Sequence, residues 1–132
     1  MRIPGSILQG ILARAALTIL RIYLGVALLV SAGLKLQDGY VARLAQPAPL
    51  IVWGELVIGT CLVLGLVTRL VAALAFLLSL NFIWMTGWDL WTETSVYPTW
   101  AALSLAVLIG AAGRTFGVDA FLAKRWPRSP FW

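Results

Sequence analysis

The sequence predicts an all-α membrane protein: a single domain, residues 1–132, in which four transmembrane helices form a bundle with interfacial amphipathic segments at both termini. Three observations predict this fold class. Hydrophobic residues make up 61% of the chain and charged residues only 11%, whereas a soluble domain carries about 25% charged residues. Four apolar runs have roughly the length of a membrane span. The basic residues that flank these runs fall mostly on one side.

A helix that crosses a bilayer needs about 20 mostly apolar residues, within a range of about 17–25. The four runs that approach this length are residues 16–36, 50–67, 70–87 and 98–113. Only Thr68 and Arg69 separate the second run from the third, so we expect a tight helical hairpin there. In the fourth run Ala102, Ala106 and Gly110 recur every four residues, and such a ridge of small side chains favours close helix packing in lipid.

Both ends of the chain carry amphipathic patterns. Ile7, Leu8, Ile11 and Leu12 follow helical spacing, so this segment either lies along the interface or extends the first helix. The tail, residues 117–127, has an acidic residue in its first turn and basic residues in its last, as a helix dipole favours. Because its apolar residues share one face, we expect the tail to be a helix on the inner leaflet.

Basic residues predict the orientation of the spans. Seven lie on the side of both termini, and two lie on the opposite side. The seven are Arg2, Arg14, Arg69, Arg114, Lys124, Arg125 and Arg128, and the two are Lys35 and Arg43. The positive-inside rule then places both termini in the cytoplasm, as in a multi-pass protein of a bacterial inner membrane. The net charge of +5 is spread too singly for a nucleic-acid surface, so membrane lipids are the expected partners of these cations.

The sequence lacks the histidines and paired cysteines that bind most haems, iron–sulfur clusters and zinc ions. The chain has no histidine and a single cysteine, Cys61. A bis-His haem, a dithiol redox couple and a Cys-ligated iron–sulfur or zinc site are therefore excluded within the chain itself. Cys61 lies in an apolar run, where a free thiol usually acts as a small buried hydrophobe. We expect no metal site and no cofactor of the chain's own.

Ionisable residues inside spans are costly and therefore mark candidate sites. Arg21, Gly25, Leu28, Ala32 and Lys35 are spaced 4, 3, 4 and 3 along the first span, so they form one stripe that should face the bundle. Lys35 lies at the depth of the only acidic residue within a span, on the second helix. The expected contact is an ion pair near the outer face between Lys35 and Glu55.

The same level offers further candidates. Arg43 is a second possible partner for Glu55, and Asn81 could join by hydrogen bonding. Asn81, Trp84 and Trp88 fall at i, i+3 and i+7, so they share a helix face. Together with Lys35 and Glu55 they form a candidate intramembrane polar cluster or quinone site, since such sites combine aromatic walls with a few polar groups. The alternatives are an ion pair that only fixes helix register and an aromatic belt at the interface.

A second group of charges lies at the cytoplasmic end. Asp119 is the only acid on that side, so it could contact Arg21, Arg69 or Arg114. Arg21 could instead extend its side chain to the cytoplasmic headgroups.

Several strings in the sequence resemble proteins of the DoxX family. They are Arg21 to Gly25, Ser31 to Lys35, Glu55 to Gly59, Leu64 to Arg69 and Gly113 to Asp119. Each string is weak alone, but together they occur in the expected order over most of the chain. The family includes the membrane subunit of a thiosulfate:quinone oxidoreductase, and other members look like membrane partners of soluble redox enzymes. The resemblance implies a role next to electron transfer or the quinone pool.

Two functions follow as expectations. The first is an accessory or anchoring subunit of a larger respiratory or photosynthetic membrane complex, with the other subunits and lipids as partners. The alternative is a quinone-reactive subunit of a DoxX-type oxidoreductase, in which quinone or a bound lipid is the ligand and any further electron carrier belongs to a partner. A small transporter is a weaker interpretation, because no inverted repeat is evident.

Overall fold

The computed structural model describes residues 5–37, 48–86, 96–110 and 117–128. These ranges contain five helices and no strand. The helices are α1 (Gly5–Gln37), α2 (Ala48–Leu64), α3 (Thr68–Thr86), α4 (Val96–Gly110) and α5 (Val118–Arg125). The all-helical fold class is confirmed, and α5 coincides with the predicted tail helix.

The first helix is much longer than its predicted span. It begins at Gly5 instead of residue 16, so the N-terminal amphipathic segment extends α1. At about 1.5 Å per residue, α1 is about 50 Å long, well over the roughly 30 Å of a hydrocarbon core. Its first turns are solvent-exposed on every side.

Length and composition qualify two helices as membrane spans: residues 7–37 of α1 and 68–85 of α3. The other two long apolar helices are shorter, at Pro49–Leu64 and Val96–Gly110. At about 1.5 Å per residue they cover about 24 and 22 Å, less than a full hydrocarbon core. The arrangement of four spans therefore stays a prediction.

The stripe predicted on α1 faces the bundle. Arg21, Gly25, Leu28 and Ala32 are all buried, and Lys35 is half-buried. The backbones of α1 and α2 meet at two glycines on this face. A Cβ atom on Gly59 would lie 2.8 Å from the carbonyl oxygen of Gly25, and one on Gly25 would lie 2.9 Å from that of Gly59. Only glycine fits at either position, which explains why the two helices approach so closely.

The helices form two closely packed pairs. α1 packs mainly on α2, and α3 mainly on α4, while smaller contacts between α1 and α4 and between α2 and α3 close the ring. The buried core between them is apolar. It includes Leu24, Leu28, Leu62, Ala72, Ala75, Trp100 and Val107. Cys61 is half-buried at the edge of this core.

The short turn between α2 and α3 has a defined geometry. The amide of Gly65 donates to the carbonyl of Leu62, and the amide of Leu66 donates to that of Cys61, which is the Schellman pattern that ends a helix. This pattern needs a left-handed residue, and Gly65 has φ +67. Val67 is also left-handed, at φ +48, which costs energy for a β-branched residue. The tight hairpin expected from the sequence is thus present.

The outer faces of the long helices are apolar. On α1, for example, Ile19, Tyr23, Val30 and Leu34 are more than half exposed, and α2 and α3 expose comparable side chains. Soluble monomers rarely show continuous apolar surfaces of this extent. Such faces are suited to lipid or to another membrane subunit.

On α4 the buried face is Trp100, Ala101, Ser104 and Val107, so Ala102 of the predicted small-residue ridge lies outside it.

Candidate functional site

The centre of the candidate site is an ion pair between α1 and α2. The Nζ atom of Lys35 lies 2.6 Å from Oε1 of Glu55, and the hydroxyl of Ser31 donates to the same oxygen at 3.3 Å. Ser31 and Lys35 are one helical turn apart, so both reach the same carboxylate. The contact predicted from helix depth is therefore present in the structure.

Glu55 is fully buried. Its second oxygen, Oε2, has no hydrogen-bond partner among the residues that the structure describes. A buried carboxylate is costly unless it is paired and its oxygens are hydrogen-bonded. Glu55 has only part of that compensation among the described residues, since Oε1 is paired and Oε2 is not.

A chain of aromatic rings begins at the cationic partner. Nζ of Lys35 lies 4.2 Å from the ring centroid of Phe82 on α3. Phe82 stacks on Tyr97 of α4 at 4.8 Å, and Tyr97 meets Trp100 edge-on at 5.7 Å. A cation over a ring face is attracted by its quadrupole. These contacts connect Lys35 of α1 to α3 and, through Phe82, to α4.

These aromatic partners differ from the ones that the sequence suggested. Asn81 and Trp84 share a face of α3, as their spacing indicates, but both are exposed on the outside of the bundle, Trp84 at 90%. The buried side of α3 carries Ser79, Phe82 and Ile83. The structure therefore does not bring Asn81 or Trp84 to Lys35 and Glu55. Trp88 lies outside the described residues, as does Arg43.

A groove opens beside the ion pair, between α1 and α4. Its volume is about 520 Å³, within the range of small-ligand sites. It runs along α1 from Tyr23 to Lys35, about 18 Å at the rise of a helix. Its walls are apolar and aromatic, with Val26, Val30, Leu34, Tyr97 and Trp100 among them. Lys35 and Ser31 supply polar groups at one end, and the hydroxyl-bearing ring of Tyr23 lies at the other.

A second polar cluster joins α5 to the turn before α3. The carboxylate of Asp119 accepts hydrogen bonds from the amides of Val67 and Thr68, each at 2.6 Å, and is fully buried. The amide of Asp119 in turn donates to the carbonyl of Gly65 at 2.8 Å. A carboxylate at the N-terminus of α3 satisfies amides that have no partner in the helix and suits the helix dipole. We refer to these contacts as the Asp119 clamp.

Arg21 is buried beside this clamp. A Cβ atom on Gly65 would lie 2.5 Å from Nη1 of Arg21, and one on Gly117 would lie 3.0 Å from it. The guanidinium thus lies against the backbone at Gly65 and Gly117, and its charge attracts that of Asp119. Of the other cations considered for Asp119, Arg69 is half-buried at the start of α3, and Arg114 lies outside the described residues.

Apolar outer faces, two helices of membrane-spanning length and a buried ion pair indicate a small helical membrane protein. The chain belongs to the DoxX family: the DoxX family model matches residues 16–88, more than half of the 132. The match covers α1 from residue 16 onwards and all of α2 and α3, and with them Lys35, Glu55 and Phe82. Tyr97, Trp100 and Asp119 lie beyond it. The comparison with curated proteins and the comparison with solved structures each found no match.

Proposed function

We propose that this protein is a quinone-binding membrane subunit of a larger electron-transfer assembly in the bacterial inner membrane, and that the groove between α1 and α4 is its quinone site. The observation that carries the proposal is the position of Lys35. Its side chain lines an apolar, partly aromatic groove at one end and is paired there with a fully buried carboxylate.

The shape and chemistry of the groove fit an amphiphilic quinone. A quinone ring is flat and apolar with carbonyl acceptors at its edge, so it needs aromatic walls and a hydrogen-bond donor. Tyr97 and Trp100 supply the walls, and the ammonium of Lys35, which has three N–H groups, supplies the donor at one end. The remaining length of the groove towards Tyr23 is lined by aliphatic side chains, which suit the start of an isoprenoid chain.

The ion pair would serve proton transfer in this proposal. Reduction of a quinone to a quinol takes up electrons and protons in equal number, so a proton donor must stand near the carbonyl oxygens. Lys35 can donate one of the two protons directly. Glu55, an ionised carboxylate paired with it at 2.6 Å, has no proton of its own but can accept one from water and pass it back to Lys35. The second proton of the quinol also comes from water at the membrane surface. The electrons would come from a redox group on a partner subunit, because the sequence lacks histidine and has one cysteine.

Filling the groove tests the proposal. Val30 lines the groove and is 55% exposed, whereas Val57 on α2 is 60% exposed and lies outside it. The variants Val30→Trp and Val57→Trp are matched in chemistry and exposure. Quinone extracted per chain after gentle purification should fall at least about tenfold in Val30→Trp, since the tryptophan would occupy the ring site, and should be unchanged in Val57→Trp. Equal quinone content in both variants would disprove a quinone site in the groove.

One observation favours a second function, an anchoring subunit without a ligand site. The N-terminal extension of α1 exposes Ile7, Leu8, Ile11 and Leu12, each about half, and this apolar stripe suits contact with another subunit. A pull-down of the tagged chain in mild detergent separates the two functions. A stoichiometric haem, flavin or pigment protein without bound quinone would favour anchoring, whereas a chain that retains quinone would favour the first proposal.

A further inference from the structure

Helix α5 turns one face towards the bundle and the opposite face away from it. The Asp119 clamp fixes the rotation of α5, because both the carboxylate and the amide of Asp119 are bonded to residues 65–68. Asp119 is therefore at the centre of the inner face. Residues on the opposite side of this short helix are held outward and cannot turn in to cover themselves.

The outward face combines an aromatic ring with cations. Phe121 is 72% exposed, and Trp126, directly after the last residue of α5, is 57% exposed. Lys124 and Arg125, three and four residues after Phe121, are also exposed, so they flank its ring on the helix surface. The guanidinium carbon of Arg125 lies 5.9 Å from the ring of Trp126, and Arg128 adds an exposed cation just beyond.

The charge around this face has one sign. Within the described ranges the acidic side chains are Glu55 and Asp119, and both are fully buried. The exposed charges on the described surface are therefore all positive. The same sign holds away from α5, where Arg14 is exposed on α1 and Arg69 is half-buried at the start of α3.

We propose that the outward face of α5 is a binding surface for anionic phospholipids, held at headgroup depth by the Asp119 clamp. An exposed phenylalanine and tryptophan enter the boundary between headgroups and acyl chains, as in interfacial helices. Lys124, Arg125 and Arg128 bind lipid phosphates, and an anionic headgroup adds the net negative charge that a zwitterionic one lacks. The clamp keeps α5 in place without lipid, so the surface is preformed.

The test uses the full chain in a neutral detergent. Phosphatidylglycerol and phosphatidylcholine with the same acyl chains are added in equal amounts, and native mass spectrometry counts the molecules of each that stay bound. Because three basic side chains each favour the anionic lipid, we expect at least about tenfold more phosphatidylglycerol than phosphatidylcholine on the unaltered protein. Replacing Arg125 by glutamine should lower the ratio about fivefold, the size expected for one basic side chain near an anionic surface.

Arg14→Gln is the matched control, since it removes an exposed arginine from α1 and leaves α5 intact. It should leave the lipid ratio within about twofold of the original. An equal loss in Arg14→Gln and Arg125→Gln would overturn the proposal, because net charge alone would then explain the preference. A ratio near one on the unaltered protein would also overturn it, and would leave an acidic partner protein as the occupant of this face.

Discussion

At the scale of single residues, the Lys35–Glu55 pair determines how α1 and α2 meet. Both groups lie in a bundle whose surroundings are apolar, so neither charge is solvated as it would be in water. The desolvation cost of such a pair often equals its attraction, but removing one partner leaves an uncompensated charge. The pair therefore specifies register: α1 and α2 can slide past each other only by separating these two groups.

Exchanging the two charges tests this register. Lys35→Glu and Glu55→Lys should each destabilise the protein by about 3–5 kcal/mol, because each leaves two like charges in contact. The double variant should recover most of the loss. The thermal midpoint in detergent, with size-exclusion profiles for folding, is the measurement. A double variant no more stable than the single ones would show that the pair does not set the register.

Protonation chemistry at the same pair is tested separately. Glu55→Gln keeps the size of the side chain and an acceptor for Lys35, but it cannot accept or return a proton. In the assembled complex we expect quinone turnover to fall about 10²–10⁴-fold, the range for loss of a positioned acid–base group, with quinone content retained. A Glu55→Gln complex that assembles normally and keeps full turnover would remove Glu55 from the proton path.

The glycine contact between α1 and α2 gives a third test at residue scale. Gly59→Ala would place a methyl group 2.8 Å from the carbonyl oxygen of Gly25, so the helices must move apart. We expect a loss of about 1–3 kcal/mol, as for other over-packed contacts. Gly54→Ala on the same helix is the control. Nothing lies within 4 Å of its added carbon, so it should be neutral or stabilising by up to about 1 kcal/mol. Equal effects in the two variants would contradict the close approach.

At the scale of elements, the Asp119 clamp connects α5 to the turn between α2 and α3. It also explains a strained turn: Val67 at φ +48 is held there because its amide and that of Thr68 both bind the carboxylate. Positions 65 and 117 require glycine, because the guanidinium of Arg21 lies where a larger side chain would be. The clamp therefore gives a physical reason for Gly65, Val67 and Thr68 in the string Leu64 to Arg69 and for Gly117 and Asp119 in the string Gly113 to Asp119.

Neutralising the clamp should loosen the turn before α3. Asp119→Asn keeps one acceptor oxygen but turns an NH₂ group towards the other amide. Hydrogen bonds to a charged group are worth about 1.5–3 kcal/mol, so hydrogen exchange at Val67 and Thr68 should speed up roughly 10–100-fold. Exchange of the same amides in Lys124→Gln, a change on the exposed side of α5, should stay the same. Unchanged protection in Asp119→Asn would mean that the carboxylate is not the partner that holds these amides.

At the scale of the whole molecule, the prediction is topological: four crossings with both termini in the cytoplasm. In a Cys61→Ala background, single cysteines are placed by Gln37→Cys, Leu66→Cys, Glu93→Cys and Arg128→Cys. With an impermeant maleimide on spheroplasts, the cysteines at 37 and 93 should react. Those at 66 and 128 should react only after permeabilisation, because the basic flanks stay inside. Labelling at 66 together with 37 and 93 in sealed spheroplasts would show that α2 and α3 do not cross, whereas labelling at 66 and 128 but not at 37 and 93 would show the inverted orientation.

Much of this architecture could be predicted from the spacing of residues along each helix and from their depth in the membrane. The 4, 3, 4, 3 spacing on α1 identified its buried stripe, and counting residues from the span ends brought Lys35 to the level of Glu55. The groove could not be found that way. It depends on how α3 and α4 are rotated about their axes, and α3 turns Ser79 and Phe82 inward while Asn81 and Trp84 face out. Because Asn81 is polar, the sequence predicts that it faces Lys35 and Glu55, which would require the opposite rotation of α3. Nothing in an apolar run marks Phe82 as the ring beneath Lys35.

The division of the bundle into two tight pairs has a consequence for how the protein is made. Helices α1 and α2 leave the ribosome first, at roughly 5–20 residues per second, and their glycine contact and ion pair are complete without α3 or α4. Glu55 can thus be paired with Lys35 before α3 and α4 are in place, so the carboxylate need not enter lipid alone. Asp119 follows α4 in the chain, so the clamp can close only after all four long helices have been made.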